Sequence, residues 1–346
     1  MNTAVAVVRT FPETVLADYA RLISLTGKKF NSPSESKILL LLDTPSDYFF
    51  PASAVPPWCL EGFLKAVRNS DGKRCTINAC FLHSFLFKKS FRGSFEPFRN
   101  IFRDYSVDEV SRTVPFQEMV KGNHVVILST MKTHLLHYVA GALVCNAAFA
   151  EVKSKTYPLF ISSAEICEQF SQLKESAVSI FGILDGTFAG DGAGPQCLRV
   201  FTKNYILASN DLAVLDGTAA RMMGFDPTEV SYLKSAYEQR IGSVDCDAIS
   251  FSLIGDEIPK LDFRFHHTEG NFSRCLYKFV HRCYDKNNGS LRNKCNLQAF
   301  ISKKLFDVYA TSYFFPKFGK ARFAKVLGTE WGKLLNTYNL ASFHLK

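Results

Sequence analysis

Two alternating hydrophobic patterns run through the first part of the chain. Short apolar runs rich in valine and leucine predict buried strands at residues 3–9 and 37–42. Between them, apolar residues at helical spacing predict a helix over residues 12–25. This alternation is typical of strand–helix–strand units with right-handed crossovers. We therefore predict an α/β fold in which helices cover both faces of an open, mostly parallel sheet.

The same patterns continue to about residue 260. Further strands are predicted at residues 74–80, 124–129, 155–162, 178–184, 205–208 and 246–254, and further helices at residues 58–67, 164–174 and 212–223. Beyond residue 260 the pattern becomes helical and aromatic, over residues 272–284, 297–314 and 321–338. We predict an α/β domain over residues 1–260 and a helical C-terminal appendage over residues 261–346.

Composition supports a globular protein with an uneven charge. Hydrophobic residues make up 47% of the 346 positions and charged residues 21%, which excludes disorder on a large scale. The net charge is +9, and residues 262–346 alone hold 15 Lys and Arg against 5 Asp and Glu. The basic character therefore belongs to the last quarter of the chain.

Targeting signals are not apparent in the sequence. The apolar start at residues 3–8 is too short for a secretory signal, and the longest weakly charged run, at residues 138–150, is too short to span a bilayer. We therefore expect a cytoplasmic protein. The ten cysteines are irregularly spaced, so in that compartment they are expected to be reduced and mostly buried.

A glycine-rich segment follows the predicted strand at residues 178–184. That strand is expected to end at Asp185, and Gly190, Gly192 and Gly194 then alternate before Pro195. Glycines permit positive φ and a close approach of the backbone to a ligand. The sequence predicts a loop that cradles a phosphate or carboxylate.

Four aspartates surround this predicted loop. Ser209 and Asp211 precede a predicted helix, and a short polar side chain there can cap its first turn. Asp185, Asp191, Asp211 and Asp216 could together hold a divalent cation such as magnesium, with Asp185, Asp211 and Asp216 as the metal set. The alternative is that they are turn and cap residues.

Several short motifs resemble the domain-of-unknown-function 362 family, whose uncharacterised members are described as iron-sulfur-associated. They are Asp185-Gly186, Gly192-x-Gly194-Pro195, Ala208-Ser209-x-Asp211, Val214-x-Asp216, Met223-Gly224-x-Asp226-Pro227 and, upstream, Lys132-Thr133-His134. The resemblance implies catalytic roles for Lys132, His134 and Asp216. Lys132 would attract an anion, and His134 would donate a hydrogen bond or transfer a proton.

The chain departs from this family in two places. Asp43-Thr44-Pro45 stands where the family has Lys-Pro-Asn, so an acidic residue replaces a cation at a strand end. The ferredoxin-type cysteine motif of many relatives is absent, and the spacing of Cys275, Cys283 and Cys295 matches no cluster motif. We therefore expect no iron-sulfur cluster within this chain.

His134 and His137 raise a separate possibility. On a helix they would share one face and could offer two nitrogens to a metal ion, or they could form a structural pair.

The segment 313–325 mixes aromatic residues with lysine and arginine. Such a composition is found in membrane-surface and nucleic-acid-binding segments, and also in helices that lie on a sheet with their lysines in water.

Two functional hypotheses follow. In the first, the protein binds a cofactor or small anion between the Lys132–His134 turn and the loop at residues 190–195, with a redox or metal-linked reaction as the class of chemistry. In the second, it is a catalytically inactive interaction protein whose basic C-terminal segment binds a protein partner, nucleic acid or an acidic membrane surface.

Overall fold

A nine-stranded mixed sheet lies at the centre of the computed structural model. The structure describes residues 4–30, 37–45, 48–69, 75–82, 95–110, 114–150, 161–242, 252–257, 263–266, 275, 278, 306 and 308–340. The strands are β1 Ala4–Arg9, β2 Lys37–Leu42, β3 Thr76–Phe81, β4 Val107–Glu109, β5 His124–His134, β6 Tyr138–Ala140, β7 Ser179–Ala193, β8 Cys197–Ser209 and β9 Ser252–Gly255.

Helices connect and cover these strands. They are α1 Val15–Leu25, α2 Pro57–Asn69, α3 Glu96–Tyr105, α4 Phe116–Val120, α5 Ala142–Ala150, α6 Ser163–Ser176, α7 Leu212–Met223, α8 Ser231–Glu238, a π-helix Tyr309–Gly319, α9 Lys320–Leu327 and α10 Glu330–Thr337. Among the described residues, no helix combines the length and apolar character needed to cross a membrane.

Strand order determines where ligands can bind in such a sheet. The order is β4-β3-β2-β5-β7-β8-β1-β9, and β6 pairs with β5. The pairings β4-β3, β3-β2, β2-β5, β5-β7 and β1-β9 are parallel, whereas β8 is antiparallel to both of its neighbours. From β2 the chain passes to β3 and β4 on one side, and it then returns to β5 on the other. The switch point of the topology therefore lies between β2 and β5.

The continuous apolar pattern of the central strands explains their position. In β2, Ile38, Leu40 and Leu42 pack on one face of the sheet, while Leu39 and Leu41 pack on the other. A strand that is apolar on both faces must be covered by helices on both sides. The predicted class of fold, an α/β sheet with helices on both faces, is confirmed.

Two cores result, one on each face. On the α1 face, helices α1, α2 and α3 contribute to one cluster, and on the α5 face, helices α4 to α8 contribute to the other. The C-terminal helices belong to the first cluster through Phe315, Phe323, Trp331 and Leu335. The ring of Trp331 lies 5.0 Å from that of Trp58 in α2. The C-terminal helices are thus integrated into the α1-face core, whereas Phe265 packs in the core on the α5 face.

Several predicted boundaries agree with the structure. Strand β2 has the predicted bounds, and α7 ends before Gly224, whose φ of 89° is the left-handed cap that glycine adopts most readily. The predicted strand at 155–162 lies largely outside the described residues, as do most of the predicted helix at 272–284 and most of the strand at 246–254.

The prediction for residues 185–195 was wrong. The strand does not end at Asp185 but continues as β7 to Ala193, and β8 begins as early as Cys197, so the two form one long hairpin. The predicted turn at Lys132–His134 also belongs to a strand, because β5 extends to His134. In both places the strand continues beyond the apolar run from which it was predicted.

Asn146 in α5 is an exception within the α5-face core. Its side chain is fully buried, and neither amide atom has a hydrogen-bond partner among the described residues. Replacing a buried, unsatisfied amide by an apolar group of similar volume removes a desolvation cost. We expect Asn146→Leu to raise the free energy of unfolding by about 1–2 kcal/mol in urea titrations.

A matched control is Asn123→Leu. The amide nitrogen of Asn123 donates a 2.8 Å hydrogen bond to the carbonyl of Met119, which the variant loses. This control should be less stable than the parent protein. If both leucine variants were destabilised equally, the Asn146 amide would have to form a stabilising hydrogen bond with a group outside the described residues.

Candidate functional site

A buried ion pair lies at the switch point of the sheet. Asp43 directly follows β2, and Lys132 lies near the carboxyl end of the neighbouring parallel strand β5. The ammonium nitrogen of Lys132 is 2.5 Å from Oδ2 of Asp43, and the side chains are only 1% and 5% exposed. The carboxyl ends of parallel strands meet at one edge of a sheet, which explains how residues 89 positions apart come together.

The three donors of the Lys132 ammonium are all in use. Besides Asp43, it donates to the carbonyl of Ser53 at 2.8 Å and to the hydroxyl of Thr130 at 3.0 Å. The carboxylate of Asp43 accepts from Lys132 and from the Ser129 hydroxyl through Oδ2. No hydrogen bond from a described residue reaches its Oδ1. In this conformation an anion could bind Lys132 only by replacing one of its partners.

A small cavity lies beside this pair. Its lining includes Asp43, Lys132, His134, Cys145 of α5 and Pro195 at the tip of the β7–β8 hairpin. The cavity measures about 10 Å³, which is room for about one water molecule. Ligand pockets are usually at least about 300 Å³. Little free volume therefore remains in the crevice among the residues that the structure describes.

His134 and His137 form a stacked pair next to the cavity. Their ring centroids are 4.9 Å apart, and both side chains are buried. Nδ1 of His134 accepts 3.2 Å hydrogen bonds from the backbone N–H groups of Leu136 and His137, which places the proton of its neutral ring on Nε2. Nε2 of His137 lies 2.8 Å from the carbonyl of Ile161 and so acts as a donor. Each histidine thus uses one ring nitrogen for a contact within the fold.

Asp216 holds the beginning of α5. Its carboxylate accepts from the backbone N–H groups of Ala142 at 2.7 Å and Leu143 at 3.0 Å, and the Tyr232 hydroxyl donates to it at 3.2 Å. The positive end of the helix dipole and these donors favour the charged form. Burial opposes them and raises the pKa of Asp216 to about 7. A Cβ atom at Gly141 would lie 2.1 Å from this carboxylate, so the helix start is closely fitted to it.

Asp185 lies on the opposite face of the sheet. Its carboxylate accepts from the Tyr19 hydroxyl at 2.5 Å, from the Trp58 indole at 3.1 Å, and from both the N–H and the hydroxyl of Thr187. Burial raises its pKa to about 6 despite these donors. Tyr19 and Trp58 belong to the α1-face core, whereas Asp216 contacts α5 and α8. Asp185 and Asp216 are therefore separated by the sheet.

Asp211, Asp191 and Ser209, which were also predicted to belong to the site, have partners within the fold. The side chain of Asp211 caps α7 by accepting from the N–H groups of Ala213 and Val214, and Ser209 donates to the carbonyl of Ala4. Asp191 is buried and pairs with Arg199. The described residues contain no group of three or more His, Cys, Asp or Glu side chains that could hold a metal ion. Asp185, Asp211 and Asp216 are thus not brought together as a metal set.

The glycine-rich segment is part of a strand. Gly190 pairs with Lys132 on one side and with Val200 on the other, and a Cβ atom there would lie 2.7 Å from Leu198. Gly192 exchanges hydrogen bonds with the Thr133 hydroxyl, both at 2.9 Å. A Cβ atom at Gly194 would lie 1.7 Å from the carbonyl oxygen of Thr133. These glycines allow the hairpin to pack closely against β5, and only its tip reaches the cavity.

Asp43 was predicted to be a departure from a family motif and not a residue of the candidate site, and Ser53, Ser129 and Thr130 were not predicted to belong to it. A signal was present, because a carboxylate ending one buried strand and a lysine ending another could have been predicted to meet at adjacent strand ends.

The chain matches no protein-family model, no curated protein and no solved structure. The resemblance to the domain-of-unknown-function 362 family therefore stays a prediction.

Proposed function

We propose that the protein binds a small anionic ligand or cofactor in the crevice at the switch point, between the end of β5 and the tip of the β7–β8 hairpin. Lys132 supplies the positive charge, and His134 supplies a hydrogen-bond donor. The observation that carries the proposal is the buried Asp43–Lys132 pair beside a cavity at the switch point. Ligands of open α/β sheets bind in this crevice.

Stability alone gives a poor reason for burying this pair. Removing a carboxylate and an ammonium from water costs several kcal/mol for each ion, and apolar residues of similar volume are often as stabilising or more so. A charged pair at a sheet edge where ligands bind is better explained by a role in ligand binding.

In this proposal the ligand enters by exchange. Because all three donors of Lys132 are in use, a ligand carboxylate or phosphate takes the place of the Asp43 carboxylate. Asp43 is then the counter-ion of Lys132 until the ligand replaces it. This arrangement gives a role to the aspartate that stands where the family has a lysine.

The proposal can be tested with formate and inorganic phosphate as probes. Asp43→Asn removes the competing charge, so each anion should raise the melting temperature of this variant more than that of the parent at matched ionic strength. The double variant Asp43→Leu/Lys132→Met keeps the site filled without charge and should show no specific response. Equal shifts in all three proteins would overturn the proposal.

Deleting residues 262–346 would not be a clean test of the alternative, an inactive interaction protein. Phe315, Phe323 and Trp331 belong to the α1-face core, so removing residues 262–346 would expose apolar surface on the rest of the protein. If a partner were lost on deletion, the loss could result from the damaged core and would not show that the segment binds the partner. Substitutions on the exposed side of the C-terminal helices avoid this difficulty.

A further inference from the structure

The helical segment from residue 308 to 327 has an exposed side that combines aromatic and cationic residues. We call it the aromatic–cationic surface, and it consists of Val308, Tyr313, Lys317, Phe318, Lys320 and Lys325. Val308 is 51% exposed, Tyr313 46% and Phe318 37%, values that are high for large apolar side chains.

The opposite side of this segment fixes it to the protein. Phe314, Phe315, Phe323 and Val326 are buried, and the ring of Phe315 lies 4.8 Å from that of Tyr48. The surface is therefore presented by a helix that is already packed in place. Binding to it would not require the helix to fold first.

Lysine and aromatic rings are arranged together on this surface. The Lys317 ammonium lies 4.9 Å from the ring centroid of Tyr313 and 5.5 Å from that of Phe318, and it donates to the Tyr313 hydroxyl at 2.9 Å. The polar ends of Tyr313 and Lys317 are thus at one level, while the rings and the lysine stem provide apolar area beside them.

The charged residues between positions 308 and 329 are all cationic, and Asp307 directly precedes this range. Residues 308–329 include Lys317, Lys320, Arg322 and Lys325 but no aspartate or glutamate. Among the described residues, the next acidic side chain along the chain, Glu330, forms an ion pair with Lys333. A partner that matches this surface is anionic and accepts apolar side chains.

We propose that the aromatic–cationic surface binds the surface of an anionic lipid bilayer. Lysines contact the phosphate and carboxylate groups of the lipids, and Val308 and Phe318 enter the boundary between head groups and acyl chains. The level shared by the Tyr313 hydroxyl and the Lys317 ammonium suits the head-group region. Single-stranded nucleic acid fits less well, because it needs open ring faces for stacking and Lys317 covers one face of Tyr313 and one face of Phe318.

The test is co-sedimentation of the full chain with vesicles. Binding is expected to vesicles of phosphatidylcholine mixed with phosphatidylserine, to fall steeply with added salt, and to be weak for phosphatidylcholine alone. The variant Lys317→Glu/Lys320→Glu/Lys325→Glu should bind about tenfold or more weakly, since each lysine near an anionic surface contributes to the affinity. Phe318→Ser should weaken binding while leaving the charge unchanged.

Matched controls separate this surface from general charge. Lys29→Glu/Lys121→Glu/Lys234→Glu makes the same change in net charge at exposed lysines elsewhere, and it should keep most of the binding. Equal loss in both triple variants would overturn the proposal. Tight binding of single-stranded RNA without binding to vesicles would overturn it in favour of a nucleic-acid surface.

Discussion

Replacing Lys132 by methionine is expected to lower the free energy of unfolding by about 3–5 kcal/mol. Methionine fills a similar volume, but the buried Asp43 carboxylate loses its counter-ion and keeps only the Ser129 hydroxyl among the partners of its Oδ2 atom. The carbonyl of Ser53 and the hydroxyl of Thr130 each lose a donor as well. Urea titration followed by circular dichroism measures the change.

The double variant Asp43→Leu/Lys132→Met gives the decisive comparison. Since it removes both charges together, it should recover most of the stability lost in Lys132→Met, and a double-mutant cycle then gives the coupling between the two residues. The exposed pair Lys333 and Glu330, at 2.6 Å, is the control, because an exposed ion pair contributes about 0–1 kcal/mol. Additive effects at Asp43 and Lys132 would contradict the importance of the ion pair.

The second large effect is a loss of stability between pH 5 and pH 8 that depends on Asp216. Burial raises the pKa of Asp216 to about 7 in the folded protein, whereas an unfolded aspartate titrates near 3.9. Between these values the folded state binds more protons than the unfolded state, so stability falls as the pH rises. The slope for one such group is at most about 1.4 kcal/mol per pH unit.

Asp216→Asn isolates this contribution. Asparagine cannot ionise, so the variant should gain stability relative to the parent by about 2 kcal/mol as the pH rises from 5 to 8. Taking the difference between the two proteins removes groups of opposite sign, such as His124, whose pKa is lowered by burial. Parallel stability curves for parent and variant would show that Asp216 stays ionised in the folded protein over this range.

The fold could be predicted where the local sequence pattern of an element specifies its type and its bounds. Strand β2 is a continuous apolar run, and its bounds agree with the prediction. Helix α7 carries both an aspartate cap and a terminal glycine, so its start and end were also predictable. In both cases the signal lies within the element itself.

The β7–β8 hairpin could not be predicted in the same way. Alternating glycines locally indicate a loop, and what makes them a strand is the close packing against Leu198 and Thr133 from other strands. Thr133 is far from the glycines along the chain, and Leu198 lies across the hairpin from them, so the steric reason for each glycine becomes visible only once the strands are paired.

The candidate site was predicted only in part, because the contacts between its residues depend on how the strands pair. Lys132 and His134 were chosen from a family resemblance, and the structure places both at the cavity. The partnership of Lys132 with Asp43 depends on the pairing of β2 with β5, which no local pattern specifies. The same applies to Asp216, whose capping of α5 joins residues 74 positions apart.

The position of β1 has a consequence for synthesis of the chain on the ribosome. Although β1 is made before the other described strands, it pairs with residues 205–208 of β8 and with residues 252–255 of β9. Contacts between such distant segments form slowly, and apolar segments that emerge before their partners are prone to aggregate. We expect the nascent chain to depend on chaperones until β9 has left the exit tunnel, and the α1-face core to close only when Trp331 has followed.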